Sequence, residues 1–233
     1  MTGFIGAMDI EVDGLKAMLE DRVDEQAGSI VFSRGRICGI DAVVAMCGVG
    51  LVNAAACASA MIMKYAPDEI IDMGVAGGLL AKSGMRTGDI VIADGTVQHD
   101  MDVTALGYDP GLVPGAKSAI IPCDKGVSDR LAACAEKSGT ARVFRGVIAS
   151  GNGFVSSAER SRFIAETFGA AAVEMEGAAV GAVCAAFGVP CTVMRTISDC
   201  ADGDAPASYG EFCEAAAKAA IEIAGIYMGE KHI

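Results

Sequence analysis

Basic residues are scarce in this sequence. Eighteen lysines and arginines stand against 30 aspartates and glutamates, and the formal net charge is −12. The chain also has no cluster of lysine and arginine of the kind that binds a phosphate backbone. This composition argues against a nucleic-acid partner and favours a small or neutral ligand.

Metal-binding patterns are missing as well. There are only two histidines, and none of the nine cysteines forms a C-x-x-C pair. Most of the cysteines stand in apolar surroundings such as VVAMCGVG, which is typical of small core residues in a reduced compartment. We therefore expect no zinc or other metal, no cofactor and no disulfide framework.

Long apolar runs are absent too. Hydrophobic residues make up 52% of the chain and its mean hydropathy is +0.43, but every apolar run is short and is interrupted by Gly, Asp or Arg. None approaches the length of a membrane span. The first residues, MTGFIGAMDIEVDG, lack the basic region and cleavage site of a signal peptide. The chain is predicted to be soluble and cytoplasmic.

The pattern that is present is that of a single α/β domain covering residues 1–233. Short, nearly continuous apolar runs alternate with helical patterns, as expected of strands buried on both faces of a sheet. We predict a central, largely parallel or mixed β-sheet flanked by helices. The predicted strands are GFIGAM, DAVVAMCGVG, EIIDMGVAGG, DIVIAD, RVFRGVIASG, AAAVEM and CTVMRTISD.

Helices are predicted between these strands, over residues 53–65, 127–137 and 156–168. Ser208 followed by Glu211 reads as a capping box that opens a last helix ending near Met228. Residues 98–117 are predicted to form a loop too long for a simple connection, and such loops commonly have a function or pack on a partner.

Polar groups follow several of the predicted strands. Ligands bind at the carboxyl edge of α/β sheets, so these positions are the candidate site. They comprise Glu11, the glycine turns GVG (48–50) and GVAGG (74–78), 150-SGNGFVSS-157, 174-EMEG-177 and 195-RTISD-199.

These fragments also carry a resemblance. IGAMDIEV, GVAGGL, HDMDVTALGY, SGNGFVSS, VEMEG and RTISD occur in this order across the whole chain. The set is similar to that of the bacterial 5′-methylthioadenosine/S-adenosylhomocysteine nucleosidases, within the nucleoside phosphorylase/hydrolase superfamily. The resemblance implies hydrolysis of a purine N-glycosidic bond in a small-molecule nucleoside.

The resemblance also implies catalytic roles. Cleavage of the bond requires protonation of the leaving base, a stabilised ribosyl cation and an attacking water. By the match, Asp199 protonates adenine N7, with its proton held by a pKa that the dry strand end raises. Glu11 activates the water, and Arg195 is expected to steady the charge of Glu11 through a bidentate pair. Without the resemblance, Asp199 would as readily be a helix cap and Glu11 an ordinary first-turn acid.

Three residues of VEMEG are assigned to the sugar in the same way. Glu176 would accept hydrogen bonds from the ribose 2′- and 3′-hydroxyls, Met175 would lie under the ribose, and Glu174 would support the water side. The alternative is that the two glutamates cap the helix that begins near Gly177.

The rest of the implied site is mainly apolar. It consists of an adenine pocket, a channel for the 5′-thioalkyl group and a contribution from the partner subunit of a homodimer with shared sites. The adenine pocket is matched by Phe154 and Val155; the channel by Met8, Val49, Tyr209 and Phe212; and the partner's contribution by Val103, Leu106 and Pro114. Ser198, beside Asp199, is matched as a further substrate-binding residue.

Three positions depart from the family's pattern. Val75 stands in place of a serine near the sugar or the water, and Tyr209 stands in place of a phenylalanine. Asn152 occurs where aspartate is common, and this change would alter a hydrogen bond to the amino group or N7 side of adenine.

Other functions stay open from the sequence. A purine nucleoside phosphorylase would need cations and donors for phosphate. This chain instead offers Asp72 and Val75, which would repel phosphate or fail to bind it, so hydrolysis is favoured. A futalosine-type nucleosidase would differ in its 5′ substituent. A nucleoside-binding protein without catalysis would have no need of Glu11, Glu176 and Asp199 together.

Overall fold

A computed structural model describes residues 1–79, 84–199 and 205–231, with the backbone alone for residues 205–211. It shows a single α/β domain with one mixed sheet, as predicted. The strands are β1 (Thr2–Gly6), β2 (Glu20–Ala27), β3 (Ile30–Ile37), β4 (Ile40–Met46), β5 (Glu69–Gly78), β6 (Ile90–Gln98), β7 (Ile121–Pro122), β8 (Val143–Ser150), β9 (Ala170–Glu174) and β10 (Cys191–Asp199).

Helices cover both faces of this sheet. In β1, Phe4 packs into the core on one face and Ile5 into the core on the other, because successive side chains of a strand point to opposite sides. The described helices are α1 (Asp9–Met18), α2 (Leu51–Tyr65), α3 (Lys125–Ser138), α4 (Ala158–Phe168), α5 (Gly177–Phe187) and α6 (Ala205–Glu230), together with a 3-10 helix at Thr104–Leu106. None of the described helices is long and apolar enough to cross a membrane.

The strand order is β10-β6-β8-β9-β5-β1-β4-β3-β2, and β10 also pairs with β5. The strands β5, β10, β6, β8 and β9 therefore form a closed ring. β1 and β4 extend this ring in parallel, and the antiparallel β3 and β2 complete the sheet. This arrangement brings the carboxyl ends of β1, β5, β9 and β10 together.

Local signals account for most helix boundaries. α2 ends as predicted at Tyr65, where Ala66 takes a left-handed conformation before Pro67. α3 starts two residues before the prediction, because the side chain of Asp124 caps it by accepting from the Val127 N–H at 2.8 Å. The side chain of Ser157 caps α4.

Two local predictions were wrong. α6 begins at Ala205, so Ser208 lies inside its first turn and does not precede the helix. The GVAGG segment, predicted to form a glycine turn at the end of the strand EIIDMGVAGG, is itself part of β5, which continues to Gly78 between its neighbours. Glycine is needed there for close packing, since a Cβ on Gly74 would lie 2.5 Å from Glu11 Oε1.

The hairpin of β2 and β3 was not predicted. β2 has the sequence EDRVDEQA, and most of its side chains are exposed. A strand with so few buried residues lacks the apolar pattern from which strands are recognised. The 98–117 segment is a long connection, as predicted, and contains the 3-10 helix.

Candidate active site

A cavity of about 240 Å³ opens at the meeting point of the strand ends. It brings together predicted residues from every part of the chain. The predicted residues on its wall are Met8, Glu11, Val49, Val75, Phe154, Val155, Glu174, Met175, Glu176, Ser198 and Asp199.

Other predicted residues are not on this wall. Arg195 is buried, with 2% of its surface exposed, and lies outside the set of lining residues. Phe212 is partly exposed on α6, and the side chain of Tyr209 lies outside the described residues. On the 98–117 loop, Leu106 and Pro114 are exposed and Val103 is half-buried, so their assignment to a partner subunit stays a prediction.

Glu11 is held at the start of α1 by backbone N–H groups. Its Oε2 accepts from Ala7 at 2.8 Å and Met8 at 3.0 Å, and its Oε1 accepts from Val75 at 3.1 Å. Burial raises the pKa of Glu11, and the charge of Arg195 and these N–H groups oppose the rise. The three contacts fix the carboxyl on the cavity wall. The contact from Val75 comes from its backbone, so the side chain at that position does not determine it.

The predicted bidentate pair of Arg195 with Glu11 was wrong. Nε of Arg195 donates to Oε2 of Glu174 at 3.1 Å, and Nη2 contacts the same oxygen. Nη2 also donates to Oδ2 of Asp72 at 2.7 Å. Arg195 acts on Glu11 only through its charge, because Glu174 and Asp72 occupy the guanidinium.

Glu174 organises the end of β9. Its Oε2 accepts from the N–H groups of Glu176 at 3.1 Å and Gly177 at 2.8 Å, and Ser150 donates its hydroxyl to Oε1. The capping alternative is therefore correct for Glu174, which satisfies the first N–H groups of α5. Ser150 opens the predicted segment 150-SGNGFVSS-157, but its contact with Glu174 was not predicted.

Glu176 is free of that capping role. Its Oε1 accepts from the N–H of Gly50 at 2.7 Å, at the start of α2, where Gly50 has a φ of 100° that favours glycine. Burial, followed by the charge of Glu174, raises the pKa of Glu176 to about 8. A hydroxyl-bearing ligand that donates to this carboxyl would favour its ionised form.

Asp199 ends β10 and is 2% exposed. The β5–β10 register shifts between Ile197 and Asp199, and both Ser198 and Asp199 line the cavity. Consecutive side chains of a regular strand point to opposite faces, so this irregularity is what brings both residues to one wall. Ser198 Oγ donates to Asp199 Oδ2 at 2.8 Å.

Asn152 has a different contact from the one predicted. Its side chain is not on the cavity wall; Oδ1 accepts from the N–H of Leu51 at 3.1 Å, and its own N–H donates to Asp100 at 2.8 Å. Leu51 follows Gly50, which holds Glu176. The start of α2 therefore joins the segment carrying Phe154 to the carboxyl of Glu176.

The chemistry of the described wall is apolar and acidic. It includes four carboxyls and no lysine, arginine or histidine. Asp72 does not contribute, contrary to the prediction that it would face and repel phosphate, because it is 1% exposed and bound to Arg195. Such a wall suits a neutral ligand with hydroxyl donors and offers no side-chain cation to a phosphate.

Comparison with known proteins gives a consistent result. The family model described as "Phosphorylase superfamily" matches residues 2–228. A 5′-methylthioadenosine/S-adenosylhomocysteine nucleosidase of Haemophilus influenzae is 42% identical over 217 residues, which is 93% of each chain.

Solved structures with the same fold include two kinds of enzyme. The nucleosidase of that name from Neisseria meningitidis, in complex with methylthio-immucillin-A, has a TM-score of 0.93 and 35% identity, and the match covers 98% of each chain. The futalosine hydrolase of Helicobacter pylori has a TM-score of 0.92 and 33% identity, covering 98% of this chain and 97% of that one.

Proposed function

Because the chain belongs to the phosphorylase superfamily and, within it, to the family of the 5′-methylthioadenosine/S-adenosylhomocysteine nucleosidases, we propose that it hydrolyses the N-glycosidic bond of these two nucleosides and releases adenine. The observation that carries the proposal is the convergence of Glu11, Glu176 and Asp199 on one cavity without a side-chain cation on its described wall.

Each acid has a step in the proposed reaction. Asp199 gives its proton to adenine N7, so that the base leaves as a neutral molecule when the bond to C1′ breaks. Glu176 accepts hydrogen bonds from the 2′- and 3′-hydroxyls and stabilises the ribosyl cation. Glu11 removes a proton from the water whose oxygen bonds to C1′. The backbone contacts of Glu11 support this role, because they hold its carboxyl in place before substrate binds.

The remaining wall supports the binding of the rest of the nucleoside. Phe154 is proposed to stack on adenine, and the backbone of Val155 to bond the edge of the base. Met175 lies under the ribose, and Met8 and Val49 line the way to the 5′ substituent. All five residues lie on the wall of the cavity.

A homodimer in the cytoplasm is part of the same proposal. Phe154 is 51% exposed, Phe212 42% and Leu106 73%, so large apolar side chains are uncovered on the cavity wall, on α6 and on the 98–117 loop. A second copy that brings Val103, Leu106 and Pro114 over the cavity would cover apolar surface of both chains. The described cysteines are free thiols, in keeping with a reduced compartment.

Water, not phosphate, is the expected nucleophile. Adenine release from methylthioadenosine should proceed in phosphate-free buffer and give free methylthioribose, because the described wall has no side-chain cation to bind phosphate. The test measures the adenine rate with and without phosphate and identifies the sugar product. A strict phosphate requirement, or a ribose 1-phosphate product, would show that the chain is a phosphorylase.

The futalosine-type alternative has support from the structural match to the Helicobacter pylori hydrolase. It differs in the 5′ substituent, so the same assay with methylthioadenosine, adenosylhomocysteine and futalosine decides it. We expect kcat/KM to be higher for the two thioethers, since the wall near Met8 and Val49 is apolar. A non-catalytic binding protein would bind these nucleosides and release no adenine.

Asn152 offers a test of the connection through α2. Asn152→Ala removes the acceptor of the Leu51 N–H, so the segment that carries Phe154 is held less firmly. Loss of one such hydrogen bond costs about 1 kcal/mol, and we expect KM to rise about fivefold with kcat little changed. Steady-state kinetics measure both constants. Asn152→Asp keeps the acceptor and should retain a KM near that of the unsubstituted chain; an Asp variant as weak as the Ala variant would contradict this role.

A further inference from the structure

One buried carboxyl has no task in the proposed reaction. Asp72 lies in β5 with 1% of its surface exposed, and its Oδ2 accepts from Nη2 of Arg195 at 2.7 Å. Its Oδ1 has no hydrogen-bond partner. An unsatisfied oxygen of this kind is costly, because nothing replaces the water that it loses on folding. Its retention beside the active site requires a physical reason.

The charges around Asp72 do not balance. Arg195 is the one lysine or arginine that is buried in the part of the chain that the structure describes. It is bound to Glu174 as well as to Asp72, and its charge also acts on Glu11 and Glu176. One guanidinium cannot compensate four ionised carboxylates in a medium of low dielectric constant. The group must therefore retain protons at a pH where exposed acids have lost theirs.

The titratable groups near Asp72 come from several elements. They are the guanidinium of Arg195 on β10, the carboxyls of Glu11 on α1, Glu174 on β9 and Glu176 before α5, and the thiols of Cys47 after β4, Cys57 on α2 and Cys191 on β10.

The thiols add no charge. Burial raises the pKa of Cys57 to about 12 and also raises that of Cys47, while a hydrogen bond with Cys184 raises that of Cys191. Asp72 and Glu176 exchange protons at lower pH than these thiols. Burial raises the pKa of Asp72 to about 6, and the charge of Asp72 is one of the causes that raise the pKa of Glu176.

We propose that Asp72 is a positioning residue for the sugar-binding carboxyl. It holds the guanidinium of Arg195 against Glu174, and its negative charge adds to that of Glu174 in opposing a further negative charge on Glu176. The inference rests on the proposed function, in which ionised Glu176 accepts the ribose hydroxyls.

The direction of the effect follows from the sign of the charge. A carboxylate at position 72 makes a second negative charge at Glu176 more costly, so replacing Asp72 with a neutral residue should lower the pKa of Glu176. Asp72→Asn keeps an acceptor oxygen for Arg195 and removes only the charge. Asp72→Ala removes both.

The test follows the Glu176 side-chain carboxyl of the full chain by ¹³C NMR between pH 4 and 10, with the signal assigned by its loss in Glu176→Gln. Asp72→Asn should lower the titration midpoint of Glu176 by about half a pH unit or more. The control is Asp41→Asn, which removes the same charge from an exposed position on β4, where solvent and salt screen it. Equal midpoints in the two variants would overturn the proposal.

Steady-state kinetics test the proposal that Asp72 holds Arg195 in position. Asp72→Asn should keep its kcat and extend kcat/KM to lower pH, whereas Asp72→Ala should lose about tenfold in kcat because Arg195 loses an acceptor. Equal kcat for Asn and Ala would remove the positioning role.

One measurement does not depend on whether these variants fold. In the unsubstituted chain the Asp72 carboxyl should titrate at a lower pH than the Glu176 carboxyl, because the charge of Asp72 must be present when Glu176 ionises. An Asp72 midpoint above that of Glu176 would overturn the proposal. The titrations need no turnover; a chain that shows the shifts but releases no adenine would disprove the proposed function and leave the charge coupling intact.

Discussion

Asp199→Asn is expected to lower kcat for methylthioadenosine by about 10²-fold or more, because the amide cannot deliver the proton that adenine needs to leave as a neutral base. The fold should survive, since the amide has nearly the same shape and can still accept from Ser198. Steady-state rates of adenine release, with circular dichroism for the fold, measure the effect.

A substrate that needs no protonation separates acid catalysis from positioning. A p-nitrophenyl riboside has a leaving group that departs without protonation. On this substrate Asp199→Asn should recover most of the activity that it loses on methylthioadenosine, and each tenfold recovery in rate corresponds to about 1.4 kcal/mol. Ser198→Ala is the matched control, because it removes the hydroxyl that contacts Asp199 and leaves the acid itself. Equal losses of the Asn variant on both substrates, with a native fold, would assign Asp199 to positioning.

Glu11→Gln should give the second large effect, a drop in kcat of about 10²-fold with a smaller change in KM, because a glutamine cannot take a proton from water. Glu176→Gln should instead weaken both constants, since the ribose contact exists before the transition state and strengthens in it. Near-normal turnover in Glu11→Gln would remove Glu11 from the mechanism.

The structure adds a requirement to that experiment. Both oxygens of Glu11 accept hydrogen bonds from backbone N–H groups. In Glu11→Gln the NH2 group replaces one of these oxygens, so one donor faces another donor. Thermal unfolding of the variant should therefore be measured alongside the kinetics.

In the unsubstituted enzyme Glu11 must be ionised to act as the base. Burial raises the pKa of Glu11, so Glu11 takes up its proton at a higher pH than an exposed glutamate does. As the pH is lowered, kcat/KM should therefore begin to fall at a pH above the usual pKa range of a glutamate.

The buried half of the fold could be predicted from the sequence. β1, β5 and β10 are apolar runs because helices cover both of their faces, and such strands carry a strong local signal. β2 does not, since its side chains are largely exposed. The pattern Ser208 to Glu211 resembled a helix start, but such a pattern also fits inside a helix that other contacts have already begun.

The residues of the site could be predicted more fully than their contacts. Arg195 belongs to a recognisable motif, yet its partners depend on the pairing of β10 with β5, which places Val193 beside Asp72 and Arg195 beside Gly74. This register cannot be predicted from the local sequence of either strand. The same holds for Gly50, whose N–H reaches Glu176 from a position 126 residues away.

The pairing of β10 with both β5 and β6 also affects how the molecule behaves among its own copies. A strand at the border of a sheet offers unpaired backbone groups that another chain can use to extend the sheet. Because the ring is closed, β2 is the long edge strand among the strands that the structure describes. Glu20, Asp21, Arg22, Asp24 and Glu25 lie along it. Its high charge, which made this strand hard to recognise, therefore protects the folded protein from edge-to-edge aggregation.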